Sequence, residues 1–558
     1  MEAGLQHEAT LRQRPVASNS TSPAAQRAPS AEQGRDPPVP LGVQNGSGAS
    51  PKEVPMKRSR SEQVLDRISS ALRYEPGDIR VRVSIIRDYI RVLRARYMDT
   101  VFKGALIVVA MQLLPSMLRL WLVAGSSFSG LYGAIAEARV LDAVSVLFKE
   151  LGWLGPTVCT ILAALVLRRH RSVYLLDFAL FEPPAEWCVS RAEIVLMLKQ
   201  AGRDSFTPDD VAFMQRLLEK SGTGESTAWP PGILRCLKGE PQDQSMQAAR
   251  DEAETVICSC LDSLFAKTGI NPKEVDFLII NCSLFSPTPS LCAMAANKFK
   301  MRSDVRTYNL SGQGCSASLL ALDLCSELLQ NNPDSIGVVV STELITRSLY
   351  HGHEKSMLLQ NTLFRSGGAA LLLTNRSRLV ARAKYHLRHL VRTQCTDDGS
   401  YHSVYECQDE TGRAGVRLSK DIVKVAGDAM KRNLTQLGPL VLPLSEQIKV
   451  VYGLVLSRLY HQRVTYVPSF KTAFDFFCIH AGGRAVLDGI EKNLRLSPED
   501  LQPSRAVLHA KGNTSSSSIW YELDHIERNM PIRRGHQILQ LAFGSGFKCN
   551  SAVWTRLR

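Results

Sequence analysis

Cys315 lies in the stretch Asn309-Leu-Ser-Gly-Gln-Gly-Cys-Ser-Ala-Ser318, where Gly312 and Gly314 permit a sharp turn ahead of the apolar run Leu319–Leu329. A thiol delivered to the start of a helix suits nucleophilic chemistry, because the helix dipole and its free amides favour thiolate. A small buried core residue is the other reading of the same cysteine. His480, in Phe477-Cys-Ile-His-Ala-Gly-Gly-Arg484, ends an apolar run and precedes two glycines, so its imidazole either projects into a cleft or is a satisfied structural residue. Asn513 stands between Gly512 and the serine run Ser515–Ser518, either as a helix N-cap or as a polar site group. Gly544 and Gly546 mark a tight loop that is a plain hairpin or a source of backbone amides for an oxyanion.

Positioning such groups calls for a layered scaffold. Val275–Asn281, Gly337–Ser341, Ala369–Leu373 and Phe474–Ile479 read as buried strands, and Met246–Phe265, Ser316–Leu329 and Arg484–Leu494 as helices. Continuous apolar strands alternating with helices predict an α/β fold whose sheets are covered on both faces.

Ahead of this scaffold the chain changes character. The first 60 or so residues are rich in Pro, Ser, Ala, Gln and Gly and lack apolar periodicity, which predicts a disordered tail. Glu2, Glu8 and Glu32 and the missing apolar core argue against a secretory signal and less strongly against an organelle transit peptide, with a plastid address as the alternative. Two apolar stretches follow, Val101–Ala124, interrupted by Pro115 and Arg119, and Leu151–Leu167. Arg87, Arg91, Arg94, Arg96 and Lys103 flank the first, and Arg168, Arg169 and Arg171 the second, so both outer ends are expected in the cytosol. A membrane hairpin is predicted, with a re-entrant or monotopic form as the alternative because Arg119 is costly at mid-bilayer.

At 558 residues, 44% hydrophobic and 22% charged, the chain can bury a sizeable core in more than one structural unit. Its net charge of +14 concentrates beside the apolar stretches, which points to an anionic membrane surface and away from nucleic acid. The 13 cysteines show no C-x-x-C or zinc-finger spacing, so neither a disulfide framework nor a metal site is expected.

Tyr174-Leu-Leu-Asp-Phe-Ala179 with Pro183-Pro184, the Cys315 segment, Ser356-Met-Leu with Asn361, Leu363-Phe-Arg-Ser-Gly-Gly-Ala-Ala370, Leu418-Ser-Lys-Asp421, Leu437-Gly-Pro-Leu-Val-Leu-Pro443, His480-Ala-Gly-Gly-Arg-Ala485 and Gly512-Asn-Thr-Ser-Ser-Ser-Ser-Ile-Trp-Tyr521 occur in order. Together they resemble the plant-type 3-ketoacyl-CoA synthases, the membrane-bound condensing enzymes of fatty-acid elongation.

The resemblance implies a thiolase-like, duplicated αβαβα fold. Its parts are a disordered tail (1–60), a basic juxtamembrane segment (61–97), a two-segment membrane hairpin (98–171), a first half carrying Cys315 (172–385) and a second carrying His480 and Asn513 (386–558). It implies an acyl-Cys315 intermediate whose thiol is activated by the helix start and by His480, His480 and Asn513 as donors to the malonyl enolate, and Gly544 and Gly546 near the oxyanion. Arg365, Lys511 and Lys548 are candidates for substrate contact, although a structural ion pair is the preferred reading of Arg365 and of Arg484. Acyl-CoA and malonyl-CoA are the implied substrates, with no cofactor or metal. The implied setting is the endoplasmic reticulum membrane with the catalytic domain facing the cytosol, a homodimer, and elongation reductases and a dehydratase as partners. A chalcone synthase-like type III polyketide synthase and a catalytically silent membrane scaffold are the competing readings. Where many members carry histidine or cysteine this chain has Gln394, Phe476, Thr362 and Ser403, with Leu344 and His353 in place of asparagine. His353 has no role in this reading.

Overall fold

The computed structural model describes residues 171–203, 205–459 and 466–558. The tail, the basic segment and the expected hairpin lie outside these residues, apart from Arg171 at the very end of the hairpin range. Among the described residues no helix is long and apolar enough to cross a membrane.

Nine strands form one mixed sheet: β1 (Tyr174–Leu180), β2 (Phe277–Asn281), β3 (Arg306–Leu310), β4 (Ile336–Glu343), β5 (Gly367–Thr374), β6 (Tyr385–Gln394), β7 (Phe476–Ile479), β8 (Gln537–Gly544) and β9 (Lys548–Arg556), in the order β7-β8-β9-β6-β1-β5-β4-β2-β3. Among the described residues the helices of eight or more residues are α1 (Arg191–Ala201), α2 (Pro208–Lys220), α3 (Met246–Thr268), α4 (Leu291–Lys298), α5 (Ala317–Asn331), α6 (Ile422–Val441), α7 (Leu444–Leu459), α8 (Arg484–Leu494), α9 (Gln502–Lys511) and α10 (Ser518–Asn529). The predicted strands and helices all occur, most within two or three residues of their expected ends.

The sheet repeats itself. β1 pairs antiparallel with β5, β5 antiparallel with β4, and β4 parallel with β2. β6, β9, β8 and β7 repeat these three relations in the same sequence. Within the sheet the repeats join where Tyr174 and Leu175 of β1 meet His386 and Tyr385 of β6.

Period-two alternation distributes the strand side chains between three apolar clusters. From β4, Ile336, Val338 and Val340 face α3, while Val339 faces the central cluster with Leu319 and Leu322 of α5 and Trp520 and Leu523 of α10. From β8, Ile538 and Ala542 join that central cluster, while Leu539, Leu541 and Phe543 pack with α6 and α8. Helices therefore cover both outer faces, and α5 and α10 fill the space between the repeats. This explains why the strands read as continuous apolar runs. It also brings the starts of α5 and α10 together, one from each repeat, and those starts carry the cysteine and the serine run.

Candidate active site

Cys315 occupies the short helical turn Gly314–Ser316 between β3 and α5. Gly312 and Gly314 hold left-handed φ values of 66° and 64°, and the Gly314 amide donates to Ser283 Oγ at 2.9 Å. A Cβ on Gly314 would stand 2.5 Å from the Ser545 nitrogen, and one on Gly544 would stand 2.6 Å from the Gln313 carbonyl and closer still to Ser316 Oγ. The loop between β8 and β9 thus presses against the cysteine turn, an approach that requires glycine on both sides.

The thiol keeps some contact with solvent. Burial nevertheless pushes it up to about 12; the Ser515 hydroxyl opposes this rise and the nearby Glu343 carboxylate adds to it. This corrects the expectation that the helix start would lower it. Desolvation of a charged sulfur outweighs the helix terminus here.

His480 follows the last residue of β7, donates its amide to the Leu541 carbonyl at 2.9 Å, and is 4% exposed. Its Nδ1 lies 2.7 Å from Ser518 Oγ in the first turn of α10. Burial draws the imidazole down to about 4, so it is neutral at physiological pH. Asn513 is also buried. Its Oδ1 accepts from the Ser515 amide at 2.9 Å and its Nδ2 donates to the Gly482 carbonyl at 3.2 Å, two residues past His480. The Asn513 carbonyl accepts from the Arg365 amide at 2.9 Å, tying the segment to the first repeat. Among the described residues Asn513 joins the Ser515 amide to the His480 segment through Gly482, and neither Asn513 nor His480 bonds the sulfur directly.

The serine run, which in the sequence reads as turn and cap formers, divides its work. Only Ser517 bonds locally, to the Thr514 carbonyl at 2.8 Å. Ser515 donates to Glu343 Oε2 at 3.0 Å, Ser516 accepts from Asn281 Nδ2 at 2.7 Å, and Ser518 meets His480. Below them Trp520 Nε1 donates to Ser318 Oγ at 2.6 Å and Ser341 Oγ lies 2.9 Å from the same atom. Glu343 is the residue the sequence reading missed; a carboxylate closing a strand as apolar as Ile336–Ser341 was the available signal.

Arg365 is fully buried and among the described residues has no carboxylate partner. It donates to Thr227 Oγ1 at 2.7 Å and to the Thr362 and Phe364 carbonyls at 3.0 and 2.8 Å, and stacks over Trp229 at 4.7 Å. Burial draws it down to about 9. Such enclosure leaves no surface for a CoA phosphate, and the absent carboxylate corrects the ion-pair reading as well. Arg484 is exposed, its Nε 3.8 Å from Asp488. Lys511 and Lys548 are half-buried; the first pairs with Glu182 at 2.9 Å and the second donates to the Ser545 carbonyl at 2.7 Å. His353 gains a role: its Nδ1 lies 2.7 Å from Asp210, whose carboxylate also closes the capping box of α2 with Thr207. Among the described residues no group of His, Cys, Asp and Glu is placed to hold a metal ion.

A family model described as FAE1/Type III polyketide synthase-like protein matches residues 165–459, and one for the C-terminal domain of chalcone and stilbene synthases matches residues 464–556. 3-Ketoacyl-CoA synthase 6 of Arabidopsis thaliana is 50% identical over 388 residues, covering 69% of this chain and 77% of that protein. The chain belongs to the 3-ketoacyl-CoA synthase family. A second synthase of that plant, 3-ketoacyl-CoA synthase 2, is 47% identical over 442 residues, 77% of this chain and 83% of its own. Solved structures share the synthase fold at low identity. A fungal type III polyketide synthase is 18% identical with a TM-score of 0.55, covering 69% of this chain and 99% of its own. The 1,3,6,8-tetrahydroxynaphthalene synthase of Streptomyces coelicolor gives a TM-score of 0.54 at the same identity and coverage.

Proposed function

We propose that this chain is a very-long-chain 3-oxoacyl-CoA synthase in which Cys315, His480 and Asn513 carry the chemistry. The observation that supports this most is the meeting of the α5 and α10 starts, which gathers the three groups from two repeats around Ser515 and Ser518. Cys315 attacks the thioester of a long-chain acyl-CoA and keeps the chain as an acyl-enzyme while CoA leaves. Malonyl-CoA follows, and loss of carbon dioxide puts negative charge on its thioester oxygen. His480 and Asn513 donate to that enolate. Ser518, as donor to Nδ1, sets the tautomer that carries its proton on Nε2. Asn513 has one of its two amide hydrogens on Gly482, which leaves the other for substrate. One such donor contributes roughly 2.7 to 4 kcal/mol to the transition state. The carbanion then attacks the acyl-Cys315 carbonyl, whose oxyanion the Cys315 amide and the 544–546 loop stabilise. The product is a 3-oxoacyl-CoA two carbons longer. Decarboxylation drives the condensation, so no metal, nicotinamide or flavin is called for.

The enzyme works at the endoplasmic reticulum membrane with this domain in the cytosol, as a homodimer beside the elongation reductases and dehydratase. The support is the basic flanking of the two apolar stretches and the family's chemistry. Lys511 and Lys548 are the basic side chains left to meet CoA phosphates. The test is product formation from radiolabelled malonyl-CoA and a long-chain acyl-CoA in membranes carrying the wild type or Cys315→Ala. Equal product from both overturns the reading.

A further inference from the structure

The large apolar side chains that this fold leaves in water gather on one helix. Among the described residues eight are exposed, and five of them, Leu444, Ile448, Val451, Tyr452 and Val455, belong to α7, at 42 to 64%. Their spacing of i, i+4, i+7, i+8 and i+11 sets them on a single stripe roughly 100° wide. A helix of a globular protein turns such a stripe toward the core. α7 does the reverse, because its buried positions are Glu446, Gln447 and Gly453. Glu446 accepts from the Tyr466 hydroxyl at 2.6 Å, the Ser469 amide at 3.0 Å and Lys449 Nζ at 2.8 Å, and Gln447 Nε2 donates to the Leu442 carbonyl at 2.7 Å. Polar groups pin the helix to the body while its apolar stripe faces out.

The charge around this stripe has one sign. Between Asp428 and Asp475 the chain carries six lysines and arginines, Lys431, Arg432, Lys449, Arg458, Arg463 and Lys471, and one acid, Glu446, whose carboxylate is turned inward. Lys449 stands beside the stripe with its side chain exposed. An apolar stripe edged by cations and free of anions fits the headgroup region of an anionic bilayer, where the stripe meets acyl chains and the cations meet phosphate. A second copy of the chain would instead bring like charges together. The tether points the same way. The apolar stretch Leu151–Leu167 ends six residues before β1 begins at Tyr174, and six residues reach roughly 20 Å at full extension. A domain on so short a lead keeps one face at the membrane that holds the stretch.

Resting on the membrane reading above, we propose that α7 lies in the bilayer–water interface, with its apolar stripe among the acyl chains of anionic lipid and Lys449 at the phosphates. The contact is a second attachment, different in kind from the apolar stretches: it crosses nothing and fixes which face of the domain meets the membrane. Leu437 and Leu442, which lead into α7, share an apolar cluster with Ala481 and Phe543, the chain neighbours of His480 and Gly544. A bilayer contact at α7 therefore sets the orientation of this side of the site toward the surface into which a long acyl chain partitions.

The experiment uses the full chain reconstituted into vesicles of phosphatidylcholine and phosphatidylserine, with and without bromine on the acyl chains near the glycerol, and compares the tryptophan emission of wild type and Tyr452→Trp. The six native tryptophans serve as the reference: Trp121 and Trp153 lie in and beside the apolar stretches, and Trp187, Trp229, Trp520 and Trp554 are buried in the fold. The emission added at position 452 is expected to fall at least about twofold on brominated lipid and to resist iodide supplied on both sides of the vesicle. Added emission that iodide quenches and brominated lipid does not overturns the proposal, because α7 then faces water. Added emission that neither quenches also overturns it, because a second copy or another part of the protein then covers the stripe. Val455→Trp repeats the measurement on the same stripe and decides alone should Tyr452→Trp fail to fold. A wild type whose own emission is untouched by brominated lipid is a different result: Trp121 and Trp153 then lie outside the bilayer, and the membrane reading fails and takes the proposal with it.

Discussion

Acidification between pH 6.5 and 4 should weaken the fold through His480, and the size of the effect follows from its enclosure. The imidazole is 4% exposed and burial draws it from 6.5 down to about 4. In the unfolded chain it titrates near 6.5, so within that window the unfolded state binds a proton that the folded state refuses. The stability from keeping His480 neutral is complete above pH 6.5 and is lost as pH falls toward 4. A gap of that width, at about 1.4 kcal/mol per unit, makes about 3 kcal/mol. The comparison is wild type against His480→Gln, which keeps a polar group opposite Ser518 and cannot titrate. Urea unfolding of the full chain in detergent, followed by the fluorescence of core tryptophans such as Trp520 and Trp554, gives both stabilities at each pH. Other titrating groups, including the buried Glu252, Glu343 and Glu522 carboxyls, are common to both proteins and cancel in the difference. The wild-type advantage should shrink by about 3 kcal/mol between pH 7 and pH 4. Curves that run parallel within about 1 kcal/mol refute the neutral buried imidazole.

Gly544→Ala places a methyl group 2.6 Å from the Gln313 carbonyl; it should cost about 1 to 3 kcal/mol and lower condensation at least about tenfold, and wild-type melting with wild-type product contradicts the close approach. Trp520→Phe removes the 2.6 Å bond to Ser318 beneath the site and should cost about 1 kcal/mol in urea unfolding, with no change refuting the bond's contribution. Lys511→Ala breaks a partly exposed pair with Glu182 and should cost less than about 1 kcal/mol while raising KM for acyl-CoA and sparing kcat. An unchanged KM removes Lys511 from the substrate contacts.

Much of the scaffold was legible because its signals are local. Strands buried on both faces must be apolar along their length, so β2, β4 and β5 announce themselves, and Arg484–Leu494 was found to the residue. β6 was not, since Tyr385–Gln394 carries four basic or imidazole side chains and reads as polar. At the site, Cys315, His480 and Asn513 stood out against glycines and serines. Glu343 did not, because its importance comes from Ser283, Leu284 and Ser515, which lie 60, 59 and 172 residues away. His353 looked idle until its carboxylate partner, 143 residues distant, came into contact.

The sequence by itself determined the α/β class, the family, and which thiol, imidazole and carboxamide are offered for chemistry, because periodicity and ordered motifs are written along the chain. Tertiary structure alone decided their protonation and their partners. Cys315 and His480 are shifted by desolvation, which depends on how completely the two repeats enclose them and not on their neighbours in sequence. Four adjacent serines, alike in sequence, became four different contacts only because α10 begins where α5 begins.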